Sequence, residues 1–151
     1  MSESVVDGIA AEFLHNANRG RRLVAVDGAD AGRAARYADA LGRAIAEASG
    51  DEVARRSLGA VSEAELRSGT VEPFRAGDDG GPDAVLVVDG RGLLDDAVRG
   101  IWHFSVWTLA GDELPHSGAN VIVDVSDEGE PSRYFYDYCA IPPSVNRPGL
   151  H

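Results

Sequence analysis

Lysine is absent. All 14 basic residues of the 151-residue chain are arginine, so no lysine ammonium is on hand to grip a phosphate. Cysteine occurs once, at Cys139, which excludes an internal disulfide and does not imply an oxidising compartment. Long apolar runs are also missing. No segment approaches the length of a membrane span, and no positively charged start precedes an apolar run. A cytoplasmic protein is the expectation. Positive charge is short, with 14 basic residues against 25 acidic ones and a net charge of −11. That field opposes non-specific binding to nucleic acid or an anionic membrane. His15, His103, His116 and His151 show no metal-ligand spacing, so no metal site is expected from them.

What is present points to a single α/β domain over residues 1–151, with a helix within 1–20 and an aromatic, proline-rich tail at 130–151. The chain is organised around Arg22–Ile45. Leu23–Val26 is a short β-branched apolar run, the pattern of a strand buried on both faces. Asp27–Gly32 is a loop of small residues, aspartates and glycines. Beyond it Tyr37, Ala38, Leu41, Ala44, Ile45 and Ala48 recur at helical spacing and predict a helix over 30–48. Strand, glycine-containing loop and helix form the layout in which backbone N–H groups and a helix N-terminus face an anion.

Elsewhere, Val5, Val6, Ile9, Ala10, Phe13 and Leu14 predict a helix over 3–16. Val53–Leu58 reads as a strand that Arg55 and Arg56 make a poor central one. Ser62 and Glu65 form a capping-box pattern for a short helix to Arg67, and Thr70–Phe74 reads as a brief extended piece. Further strands are expected near 84–89, 102–108 and 119–124. Asp95 and Asp96 suit the first turn of a helix. Tyr134, Phe135, Tyr136 and Tyr138 alternate as an edge strand would, either covering the core or offering an aromatic face to a partner.

Two segments resemble the uridine kinase-like P-loop kinases. The first matches a family pattern of the kind I-D-G-V-D-G-A-G-K-T-T-F-A-D-A-L through Asp27, Gly28, Asp30, Ala38, Asp39, Ala40 and Leu41. The second, from Asp83 to Trp107, matches V-L-L-V-D-G-x-F-L-L-x-x-E-L-x-x-x-W-D-x-S-V-W through Asp89, Gly90, Leu93, Leu94, Trp102, Ser105, Val106 and Trp107. The resemblance covers about half the chain and implies a three-layer P-loop NTPase-like fold with a mostly parallel sheet. It also exposes what is missing. Arg33 stands at the last loop glycine, Ala34 at the phosphate-gripping lysine and Ala35 at the magnesium-holding hydroxyl. No carboxylate occurs between Val53 and Val61, where the family carries its base segment. The lid is reduced to a loop, Ala110–Gly118, without arginine.

The candidate nucleotide- or anion-binding set is therefore Asp27, Gly28, Asp30, Gly32, Arg33, Arg36 and Asp89, with no catalytic residue assigned. Asp27, Asp30 and Asp89 read either as remnants of a magnesium site converging above the sheet or as caps of a loop and a strand. Arg33 has three readings: a fork for an anion, a plug in the phosphate cradle paired with Asp30 or Asp89, or a solvated first-turn residue. His103, between Trp102 and Phe104, reads as half-buried structure. The resemblance implies a degenerate kinase without phosphoryl transfer and without cofactor, acting through a protein partner or as a homodimer. The contact would fall on the aromatic tail or the Trp102/Trp107 strand end. The alternative is a nucleotide or phosphometabolite binder or kinase, with Arg33 or Arg36 replacing lysine and Asp27 or Asp89 holding Mg²⁺ beside ATP. An enzyme of another class built on the acidic cluster and His103 has no spacing to support it.

Overall fold

The computed structural model describes residues 4–60, 62–78, 80–116 and 118–134. Helix α1 spans Val5–Asn16, with Ser4 as N-cap accepting from the Asp7 amide. Strand β1 (Arg22–Gly28) is buried along its whole length, as its apolar run requires. Helix α2 (Ala31–Ser49) starts on the Asp30 cap and stops at Gly50, whose φ of 74° is the left-handed conformation that glycine adopts without strain. Strands β2 (Val53–Ala60), β3 (Val85–Arg91), β4 (Phe104–Leu109), β5 (Val121–Asp124) and β6 (Ser132–Tyr134) complete the sheet.

The protein is an α/β fold with one six-stranded sheet in the order β2-β3-β1-β4-β5-β6, parallel except for β6. Side chains alternate between its faces, and each face carries its own core. Val24, Val26, Val85, Val87 and Val106 pack with α1 and α2 through Phe13, Tyr37, Leu41 and Ile45. Leu23, Ala25, Leu86 and Val88 pack with Leu66, Val71, Phe74 and Leu93 on the other face. The arginine-bearing strand β2 takes an edge place, pairing only with β3.

Two expectations are corrected. Thr70–Phe74 is helical, not extended: α3 (Glu63–Leu66) runs through a wide π turn at Arg67–Val71 into α4 (Glu72–Arg75). The capping box of Ser62 and Glu65 starts this segment as expected. Pro73 explains the widening, because it cannot donate to the preceding turn and its ring crowds that turn's carbonyl. The Glu72 amide reaches back five residues to Arg67 instead. Asp95 and Asp96 do not open an α-helix; they lie in a turn that leads to one 3₁₀ turn, Arg99–Ile101. In the tail, Tyr134 ends β6, whereas Phe135, Tyr136, Tyr138, Cys139 and His151 lie outside the described residues. Trp102 and Trp107 are half-buried, and the Trp102 indole N–H donates to the Leu93 carbonyl at 2.7 Å. Among the described residues, Leu114 is the exposed large hydrophobic one. No described helix is long and apolar enough to cross a membrane.

The lower rim of the sheet is held by a buried cation. Arg22 is 1% exposed. Its guanidinium donates to Gly20 O at 2.9 Å, Ala17 O at 2.8 Å, Asp51 Oδ2 at 2.9 Å and Asp83 O at 2.6 Å. It also lies 5.8 Å from the Phe13 ring centroid. These contacts join the end of α1, the start of β1, the segment after α2 and the approach to β3. We expect Arg22→Met to lose about 3–5 kcal/mol, on the order of 10 °C in melting temperature, because three carbonyls and a carboxylate are left without their donor. Arg22→Lys should recover only part of this, since an ammonium lacks the planar fork. Thermal melts in which Arg22→Met matches the parent would remove Arg22 from this role.

Candidate functional site

The sequence-selected residues lie at the C-terminal ends of β1 and β3 and at the start of α2, the edge where ligands bind in open α/β sheets. Most of their polar groups are paired within the chain. The junction between β1 and α2 is only Ala29 and Asp30. Asp30 Oδ1 accepts from the Arg33 amide at 3.0 Å, so a carboxylate of the chain already takes the helix N-terminus. The hydrogen bond from the Arg33 amide, helped by the Arg33 charge, the Gly32 amide and the Arg36 charge, holds the Asp30 carboxyl below its ordinary range. Gly28 is there for close packing: a Cβ would stand 2.3 Å from Thr108 Oγ1 and 2.7 Å from Thr108 O. Gly32 lies within the first turn of α2.

Asp27 and Asp89 do not converge. Val26 is the register partner of Asp89, so Asp27, one residue further on, leaves the sheet from the opposite face. Asp27 accepts from the Gly28 amide at 2.6 Å and the Leu93 amide at 3.1 Å. Burial raises its pKa above the ordinary 3.8, against the two amide bonds and the charges of His116 and Arg91. Asp89 Oδ1 accepts from Arg55 Nη2 and Ser57 Oγ, each at 2.7 Å. Arg55 also donates to Asp39 at 2.9 Å and to the Val87 carbonyl at 3.0 Å, which clamps β2 and β3 to α2.

The arginines are engaged as well. Arg33 pairs with Glu113 of the β4–β5 loop and lies 3.9 Å from Asp30. With its side chain 16% exposed, it is neither the solvated first-turn residue nor a partner of Asp89. Arg36 forms a two-pronged contact with Glu128, at 2.7 and 3.1 Å. Above Asp27, a crevice of about 300 Å³ is bounded by Gly28, Arg91, Asp95, Trp107 and His116. The Trp107 and His116 rings are 5.1 Å apart. His103 is exposed rather than half-buried, and it accepts from the Leu23 amide at 3.0 Å, a structural contact. No group of three or more potential ligands is placed to hold a metal ion among the described residues.

Sequence reasoning missed Arg55, Glu113 and Glu128 as partners. Arg55 left a signal, an arginine inside a strand pattern next to an acidic strand end. Glu113 left none, being 80 residues from Arg33. No protein-family model matches the chain, and no curated protein matches it in sequence.

Asp27 gives a pH test. A carboxylate whose folded pKa is raised contributes stability in its protonated form. That contribution is complete below 3.8, the unfolded value, and is lost as pH rises through the folded value. The stability of the parent relative to Asp27→Asn should therefore increase as pH falls from 7 towards 4. Urea melts of both proteins at the two pH values check this, and a difference that moves the other way contradicts it.

Proposed function

We infer that the chain is a degenerate, shortened P-loop domain of the uridine kinase-like type that acts by binding rather than by phosphoryl transfer. The observation that carries this reading is the two-residue junction at Ala29 and Asp30, whose carboxylate takes the helix N-terminus. Phosphoryl transfer is nearly all positioning and charge neutralisation. Its parts have other occupations here. The acidic end of β3 is neutralised by Arg55, and the helix positions expected to carry lysine and hydroxyl are Ala34 and Ala35. Arg33 and Arg36, the substitutes for lysine, are paired with Glu113 and Glu128. The parallel sheet in which β3 neighbours β1 is in keeping with the resemblance. The binding partner is a second copy or another protein, and its candidate contact is the aromatic segment from Tyr134 onward.

A ligand well above its Kd raises stability by mass action. Millimolar ATP·Mg²⁺ should leave the melting temperature unchanged, and a clear rise would favour the nucleotide-binding alternative with an arginine-containing loop. The double variant Ala34→Lys, Ala35→Thr should show no uridine phosphorylation, because the base segment and the lid are also missing. Radiolabel transfer to uridine by that variant would overturn the reading.

A further inference from the structure

One cavity is not over the strand ends. It lies beside them, between the start of α1, the first turns of α2 and the turn joining β5 to β6, with a volume of about 470 Å³. That is within the range of small-molecule sites, which are mostly apolar with a few placed polar groups. Val5, Val6, Ala40, Val125 and Pro131 supply apolar wall, and Arg33, Arg36 and Tyr37 supply donors.

Two donor atoms of these residues make no hydrogen bond among the described residues. Tyr37 is 6% exposed, and its hydroxyl has no hydrogen-bond partner among the described residues; the same holds for Nε of Arg33. Buried polar groups are nearly always paired, and each orphan carries a desolvation cost. Burial pushes the Tyr37 phenol well above its ordinary value, so at neutral pH it keeps its proton and donates. The third donor, Arg36, is 60% exposed and, among the described residues, is held by Glu128 at the rim, so it can exchange that carboxylate for another.

We propose that this cavity binds a small monocarboxylate with an apolar body, whose carboxylate takes the Arg36 fork in place of Glu128 and satisfies the Tyr37 hydroxyl. Donors without free acceptors call for a ligand that brings acceptors. A single charge fits better than a phosphate, because Glu128 and Glu130 line the same cavity and the chain carries a net charge of −11. The apolar wall holds an aromatic or branched aliphatic group. The site is distinct from the crevice above Asp27 and stands whether or not nucleotide binds there.

The full chain is titrated with 8-anilinonaphthalene-1-sulfonate as fluorescent probe, and the probe is then displaced by 4-phenylbutyrate or by its uncharged analogue 4-phenylbutanamide. The carboxylate should compete at least about tenfold better than the amide, and Arg36→Gln should remove that advantage. Ala40→Phe, which fills the cavity from a partly exposed position, should abolish displacement; Arg36→Gln, at an exposed side chain, keeps the test open if the filled variant does not fold. Tyr37→Phe should weaken the carboxylate about three- to tenfold while leaving the melting temperature of the ligand-free protein unchanged or raised. A merely structural hydroxyl would lower it. Equal competition by acid and amide, displacement indifferent to Arg36→Gln, or a destabilised Tyr37→Phe would overturn the proposal. Because ATP·Mg²⁺ is tested separately, failure here and failure of the non-catalytic reading remain distinguishable.

Discussion

The structure depends on one buried guanidinium. Arg22 opens β1, the central strand, and spends four donors on segments that would otherwise end without partners. An unpaired buried charge is among the costliest features a fold can hold, and a paired one is stable only when its hydrogen bonds are filled. The chain meets that condition by closing α1, the segment after α2 and the approach to β3 onto the same side chain. β1 can then bury both faces because its first residue organises the rim beneath it.

At the opposite end of the sheet the same economy governs the candidate site. In a working phosphate loop, amides and cations are left open for a ligand. Here several of these groups are closed by groups of the protein. Asp30 takes the amide of the helix start, Arg55 takes Asp89, Glu113 takes Arg33 and the Gly28 and Leu93 amides take Asp27. These pairings balance the charges of Asp30, Asp89 and Arg33 within the chain. Of the buried donors without a hydrogen-bond partner among the described residues, those of Arg33 and Tyr37 belong to residues that line the cavity beside α1, and the Trp107 indole N–H belongs to the crevice above Asp27.

A carboxylate and arginine surface with no lysine has a physical consequence. Guanidinium groups form planar, multi-pronged contacts, and the Arg22, Arg36 and Arg55 contacts are of that kind. Arg55 joins three elements through one side chain. An ammonium in its place would offer a point charge and fewer fixed directions.

By itself the sequence determined the elements that local physics decides. Apolar β-branched runs made β1, β3 and β5, the 3.6-residue period made α1 and α2, and the Ser62–Glu65 spacing started α3. The absence of lysine was legible too, since an absent residue cannot be supplied by folding. Tertiary structure alone decided how charges pair and which way acidic residues face. Asp27 and Asp89 look equivalent as strand-end aspartates, but register separates them onto opposite faces. Glu113 and Glu128 look like solvated loop residues until the fold carries them to Arg33 and Arg36, 80 and 92 residues away along the chain. The extended reading of Thr70–Phe74 failed for a related reason. Its β-branched residues and proline are weak local signals, and Leu66, Val71 and Phe74 bury together against the sheet only as a helical face. Local propensity acts over a few residues, whereas pairing and burial are settled where distant segments meet.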